Sequence, residues 1–339
     1  MNKINWQRII VIIFFITLCI FLVSFNLSKP RVLILHSYAT DYSWVNDVNK
    51  GINEVIGKKP FSVKYFYLDI KRRPDTGYMT NAGIAARNLV NKWKPDVIIA
   101  VDDEAQMLVG KYYVNNPSIN IVFTGVEGIL EEYGYDTAFN VTGMFEKIQM
   151  DALRETIAQI MPEGHRRIAH ISDASQTALF SAGEINSFTW KPLELVDSTR
   201  CRTFEDWQMA VRKAQDKADI LLLTDYYSIR RSTTDKSIVP PREIIQWTEQ
   251  NSKLPGISHR EVYVEDGGMM AVGASPLEQG QVAAEIALAI IEKGQKPEDI
   301  FFRENRLYIM HIREAAVKAH HIAMPKMFEA FARATGHYY

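Results

Sequence analysis

Short apolar runs recur along this chain, each closed by a polar turn, and stretches with apolar residues at helical spacing lie between them. A strand buried on both faces reads as a continuous apolar run, so the alternation predicts parallel sheets covered by helices. The first series of predicted strands is RVLILHS (31–37), SVKYFYL (62–68), DVIIAVD (96–102) and INIVFTG (119–125), with helices over 44–56, 79–93 and 104–113. A second series follows with RRIAHISD (166–173), PLELVDS (192–198), DILLLTD (219–225) and LPGISH (254–259), and helices over 177–187, 204–217 and 241–251. Two series predict two similar lobes. Their join is expected at NVTGMFEK (140–147), and the absence of a Gly/Ser-rich linker there predicts a short, defined hinge. Further on, GGMMAVGAS (267–275), an apolar helix over 276–294 and RLYIMHI (306–312) take the chain back to the first lobe and across once more. The expected division is 30–142 with 274–302 against 143–273 with 303–339, behind a leader of residues 1–28.

The leader changes the picture from a soluble domain to an exported one. IIVIIFFITLCIFLVSF (9–25) carries no charge and follows Lys3 and Arg8. It reads as an export signal or a membrane anchor. Ser24, Phe25 and Asn26 offer no small-x-small cleavage site, which favours an uncleaved anchor. Cys19 is read as a cysteine within that apolar helix, since Leu18 stands where lipid attachment wants a small residue. Either way residues 30–339 are expected on the periplasmic or extracellular side of the cytoplasmic membrane.

Composition narrows the partners. With 339 residues, 47% of them hydrophobic, the chain is long enough to bury two cores. A net charge of -1, from 39 basic and 40 acidic residues, argues against nucleic acid. Cys19 and Cys201 are the only cysteines, so the exported part has no internal disulfide.

In open parallel sheets, ligands sit outside the carboxyl ends of the strands. Here those ends are rich in polar and aromatic groups: Ser37, Tyr38, Tyr42 and Trp44; Asp102 and Asp103; Thr124 and Gly125; Ser172 and Asp173; Asp225, Tyr226 and Tyr227; Ser258 and His259. Some of these are expected to serve as ordinary helix or turn caps, Ser37, Thr124 and Ser172 above all. The rings of Tyr38, Tyr42 and Trp44 are candidates for apolar contact with a ligand. Of Asp102 and Asp103, one is expected to cap the helix starting near Glu104 and the other to meet an ammonium group.

Enzyme chemistry finds no support. There is no GxSxG around Ser37 and no Walker or GxGxxG loop, and His36 adjoins Ser37 in a strand, where neighbouring side chains face opposite sides. His311, His320 and His321 are expected on the solvated surface and not at a metal. No cofactor is implied.

HSYxxxYxW after the first strand, DVIIAVDDEA, and MMAVGASPLEQGQVAAEIALAIIEKGQKPEDI followed by a strand resemble the ABC-transporter substrate-binding family with the type I periplasmic-binding-protein fold. The resemblance covers residues 30–325. It implies an α/β protein of two Rossmann-like lobes with parallel sheets, joined by crossing hinge segments, holding a small molecule in the cleft. Family members include binders of amino acids, aromatic ones among them. The implied partner is an ABC permease or, alternatively, a membrane sensor such as a kinase or cyclase. The tail KMFEAFARATGHYY departs from the family pattern.

Overall fold

A computed structural model describes residues 6–73 and 75–339; Lys3 of the leader lies outside the described residues. The chain divides into two compact units, Met1–Phe145 with Pro276–Glu304, and Glu146–Ser275 with Asn305–Tyr339.

Unit 1 begins with α1 (Trp6–Leu27) and continues through β1 (Arg31–His36), α2 (Ser43–Ile56), β2 (Ser62–Tyr67), α3 (Thr76–Trp93), β3 (Val97–Val101), α4 (Asp103–Leu108), β4 (Asn120–Val126) and β5 (Val141–Phe145). Unit 2 contains α5 (Met150–Ile160), β6 (Arg167–Asp173), α6 (Gln176–Ser187), β7 (Glu194–Cys201), α7 (Phe204–Ala214), β8 (Ile220–Leu223), α8 (Pro241–Asn251), β9 (Gly256–Ser258), α9 (Val262–Glu265) and β10 (Met270–Ala274). The chain then returns to unit 1 as α10 (Pro276–Lys293) and β11 (Arg303–Glu304), and ends in unit 2 as β12 (Tyr308–Ile312), α11 (Glu314–Ala319) and α12 (Lys326–Ala334).

Each unit has a six-stranded sheet, ordered β11-β5-β4-β3-β1-β2 in unit 1 and β12-β10-β9-β8-β6-β7 in unit 2. All neighbours in unit 1 run parallel; in unit 2 only β12 is antiparallel, against β10. The chain passes from β11 in the unit 1 sheet to β12 in the unit 2 sheet through residues 305–307. In both sheets the order reverses at the first strand: β1 lies between β2 and β3, and β6 between β7 and β8. Such a reversal leaves a crevice at the carboxyl ends of β1 and β3, and of β6 and β8.

The apolar runs are buried where the alternation predicts. Val32 to Leu35 and Val97 to Val101 are fully buried, and β1 feeds two cores, Leu33 and Leu35 on one face and Val32 and Ile34 on the other. The second of these is closed by α10 on α2. Their backbones approach closely at Gly51 and Gly280: a Cβ on Gly51 would lie 2.2 Å from Leu277 O, and one on Gly280 2.1 Å from Val48 O. Only glycine fits that contact.

The first passage from unit 1 to unit 2 falls inside the segment 140–147, at Phe145 to Glu146, and most of that segment is strand β5 in the unit 1 sheet. The expectation for the histidines is corrected. His311 is 3% exposed and its ring lies 4.2 Å from that of His337, while His320 Nε2 is 2.9 Å from Glu249 Oε2; of the three histidines only His321 is exposed. The C-terminal tail explains the first: α12 packs Phe328 and Ala332 into the unit 2 core, and Ile312 pairs with Tyr338. In the leader, α1 leaves its apolar side chains exposed, Ile10 and Phe14 at 63% and 61%, and Ile9–Asn26 is long and apolar enough to cross a membrane, with a mean hydropathy of 2.9.

Candidate functional site

The crevice of unit 1 is assembled from the ends of β1, β3 and β4. At the end of β1, the Ser37 hydroxyl donates to Val101 O (2.9 Å) and accepts from Ala105 N (2.9 Å), so it stitches β1 to β3 and caps the start of α4. Both oxygens of Asp103 are also engaged, accepting from Glu127 N, Gly128 N and the Tyr133 hydroxyl (3.2, 3.0 and 2.6 Å). Asp103 therefore organises the loop after β4. Thr124 donates to both the backbone and the side-chain oxygen of Gln279 (3.0 and 2.5 Å), and Gly125 N donates to Gln279 Oε1 (3.0 Å). Gln279, in the first turn of α10, ties the returning segment to this rim.

Asp102 behaves differently. It is 5% exposed, its backbone N–H donates to Thr124 O (2.9 Å), and its Oδ1 accepts from Trp44 Nε1 (3.0 Å). Its Oδ2 is buried without a hydrogen-bond partner. Its backbone, at φ 67° and ψ 166°, lies in a region that side chains other than glycine's rarely enter. Burial, with Glu104 and Asp103 close by, pushes the carboxyl well above the usual carboxylate range. The neighbouring Gly125 leaves room for this arrangement, since a Cβ there would stand 3.0 Å from Asp102 Oδ1 and 3.3 Å from Trp44 Cζ2.

Rings border the same rim. Tyr38 and Tyr42, both part-buried, have centroids 6.0 Å apart, and Lys71 Nζ lies over both, at 5.2 and 4.6 Å. The Tyr38 hydroxyl reaches Glu104 (3.4 Å). Burial, then Asp103, raises the Glu104 carboxyl above its ordinary value.

Unit 2 repeats the pattern at the crevice of β6 and β8. Asp173 is spent on structure, its oxygens accepting from Ser175 N (2.9 Å) and Ser228 N (2.8 Å), and its backbone N–H donates to Asp225 O. The Ser172 hydroxyl donates to the adjacent Asp173 carbonyl (3.3 Å). Tyr226 is 1% exposed and belongs to the core: its ring packs on Trp207 and Tyr227, and its hydroxyl donates to Asp266 Oδ2 (2.9 Å). Asp225 occupies a place comparable to that of Asp102 in unit 1, two residues beyond the end of β8. It too has a positive φ, 38°, is 4% exposed, and holds a buried Oδ2 without a partner. Its Oδ1 meets Arg260 Nη2 at 3.4 Å. Burial would raise this carboxyl, but Arg260 first, and the Ser181 hydroxyl with it, outweigh that and hold the group below its ordinary value. His259 is itself buried, its Nδ1 has no partner, and burial, with Arg260 beside it, holds its pKa down to about 3.

Of the predicted residues, the structure thus brings Tyr38, Tyr42, Trp44, Asp102, Thr124 and Gly125 to one rim, and spends Ser37, Asp103, Asp173 and Tyr226 on the fold. Sequence reasoning missed Gln279 and Gln106; Gln106 Nε2 donates to Ala100 O (2.8 Å) and Asp102 O (3.0 Å) and so holds the strained backbone. Arg260 was missed as well, although its neighbours Ser258 and His259 were marked. Among the described residues no group of three or more His, Cys, Asp or Glu is placed to hold a metal ion.

Solved structures share this fold. A conserved domain protein from Vibrio cholerae superposes with a TM-score of 0.62 at 18% identity, covering 90% of this chain and 98% of that one. CD0873, a substrate binding protein with adhesive properties from Clostridium difficile, in its ligand-free, open form, gives 0.68 at 14%, covering 88% and 96%. An ABC domain from Streptococcus pneumonia in complex with L-Trp gives 0.63 at 14%, covering 90% and 98%. At these identities the likeness is one of fold, that of type I periplasmic-binding-like proteins. No curated protein sequence matches the chain. The sequence profile described as ABC transporter substrate binding protein matches residues 70–335. It runs from the loop after β2 to the end of α12 and through both aspartates with an unpaired oxygen; the chain belongs to the ABC transporter substrate binding protein family, whose members bind solutes and are not enzymes.

Proposed function

We propose that the chain is an extracytoplasmic solute-binding protein that captures a small amine-bearing solute, such as an amino acid, between its two units and presents it to an ABC permease. The single observation that carries the amine is Asp102. A buried carboxyl with one oxygen unpaired is costly, and a native structure keeps such a group for a reason. A solute ammonium would supply the missing partner and the missing counter-charge together. Tyr38, Tyr42 and Trp44 would give the apolar contact that small-molecule sites use. Asp225, with its own unpaired oxygen, is the counterpart in unit 2 and would accept a second donor of the solute. Contacts to both units would favour a closed state over an open one, giving a partner protein a shape to read.

A second reading, a membrane-tethered sensory module that signals to a separate kinase or cyclase, is favoured by one feature. Only residues 28–30 separate α1 from β1, a short tether if α1 stays in the membrane. The permease reading is preferred because the family is that of transporter binding proteins.

The test is a thermal-shift screen of the full chain in detergent against amino acids, simple amines and sugars. An amine-bearing solute at a hundred times its dissociation constant should stabilise by about 2.7 kcal/mol. A shift with sugars and none with any amine would contradict the amine assignment; no shift with any small solute would count against solute capture itself.

A further inference from the structure

The opposite end of the unit 1 sheet carries a basic surface that solute binding does not use. The parallel strands start in register there, Arg31 beside Ser62, and Val32 beside Val97, which in turn faces Asn120. The segment leaving α1 is fastened to this rim. Pro30 O accepts from Ser62 N (2.7 Å), Arg31 N donates to Asp96 Oδ2 (2.7 Å), and Arg31 Nη1 donates to Trp93 O (2.8 Å). Ser28 and Pro30 also line a cavity of about 260 Å³ with Asp96, Val97, Asn120 and the α10 residues Ile290 and Ile291. The ends of α2, α3 and α10 therefore gather around the point where α1 enters the unit.

Those ends are basic. Lys58 follows α2, Lys92 and Lys94 flank the end of α3, and Lys293 ends α10; all four are exposed, and none forms an ion pair among the described residues. The acidic groups of the same turns are largely taken: Asp96 by Arg31 N, Glu292 by Lys59 (3.1 Å) and Glu298 by Lys296 (3.3 Å). Favourable placement at a helix carboxyl end accounts for Lys92 and Lys293, within the last turns. It does not account for Lys58 and Lys94, beyond them, or for Lys29 in the tether.

We propose that this amino-terminal rim is a membrane-docking face that rests on anionic lipid headgroups while α1 is inserted. The inference depends on α1 being retained in the membrane. Three residues reach at most about 10 Å, so the rim is held within roughly one Debye length of the headgroups, where each lysine is attracted. The opposite rim, with Asp102, then stands about 17 Å further out, the length of the five-residue strand β3.

The full chain, with Cys19→Ser to remove the exposed thiol, is reconstituted in nanodiscs of neutral phosphatidylcholine or of phosphatidylcholine with phosphatidylglycerol. A dye on Ser118→Cys, an exposed position just before β4, reports proximity to a headgroup quencher. Quenching should be greater on the anionic discs. That excess should vanish in about 1 M salt, where the Debye length is about 3 Å, and in a chain carrying Lys58→Glu, Lys92→Glu, Lys94→Glu and Lys293→Glu whose circular dichroism is unchanged. Equal quenching on both lipids, or an excess that survives the four substitutions, would overturn the docking face. Failure of the chain to stay with either disc, read from the protein that co-elutes with the discs in size-exclusion chromatography, would overturn it by removing the anchor on which it rests, and this readout separates that outcome from the other two.

Discussion

Asp102 combines two costs that a purely structural residue avoids, a backbone in a region suited to glycine and a buried carboxyl oxygen with no partner. Its carboxyl is held protonated well above the ordinary range, first by burial. In the unfolded chain the same group ionises near pH 4. The folded state therefore binds more protons across that window, so this group's contribution to stability is full below the ordinary value and is lost as pH rises through the raised one. Asp102→Asn should accordingly raise the melting temperature of the solute-free protein at neutral pH, and the gain should shrink at pH 4. Binding should respond in the opposite sense. A solute ammonium pairs with the ionised form, so affinity should climb with pH and binding should release a proton, seen as buffer-dependent heats in calorimetry. A variant less stable than the wild type at neutral pH, or binding heats independent of buffer, would mean that Asp102 is an ordinary turn residue. This residue was legible because polar groups at the end of a buried strand stand out. Which of Asp102 and Asp103 was free was not, since it depends on Glu127 N, Gly128 N and Tyr133, all more than twenty positions away.

At the scale of elements, the strands with continuous apolar runs were readable and the exceptions have physical causes. β5 carries Thr142 and Gly143 within its five residues, which breaks the run and makes VTGMF look like a turn. β12 reads as a strand, but its antiparallel pairing with β10 joins residues more than thirty positions apart, which a strand pattern does not encode. The returning helix α10 was evident from its apolar length; its attachment was not, because the contact is backbone against backbone at Gly51 and Gly280. Gly280→Ala should cost about 1–3 kcal/mol by overpacking, and about 2–4 °C in melting temperature per kcal/mol for a unit of this size. It should also disturb the solute site, because Gln279, which holds Thr124 and Gly125, is the adjacent residue. Thermal melting and solute titration of this variant check both effects. An unchanged melting temperature would mean that α2 and α10 yield where they meet.

For the whole molecule, the two units repeat one plan, and the repeat extends to chemistry. Each sheet reverses its order at its first strand, and each has an aspartate of positive φ, with one unpaired oxygen, just beyond the neighbouring strand. The two differ in charge: among the described residues the cation near Asp102 is Lys71, over the tyrosine rings, whereas Asp225 meets Arg260 directly. A solute ammonium at Asp102 would pair with the carboxylate left after a proton is released, whereas Asp225 is an ion-paired carboxylate from the start. The measurement that tests this most directly is calorimetric titration of an amine-bearing solute from the thermal-shift screen into the wild-type chain, Asp102→Asn and Asp225→Asn, with circular dichroism confirming that all three are folded. The account predicts a loss of about 10- to 150-fold at Asp102, corresponding to a charge-assisted hydrogen bond of roughly 1.5–3 kcal/mol, and at least about 10-fold at Asp225. Wild-type affinity in either variant would contradict a solute held by both units through these two aspartates.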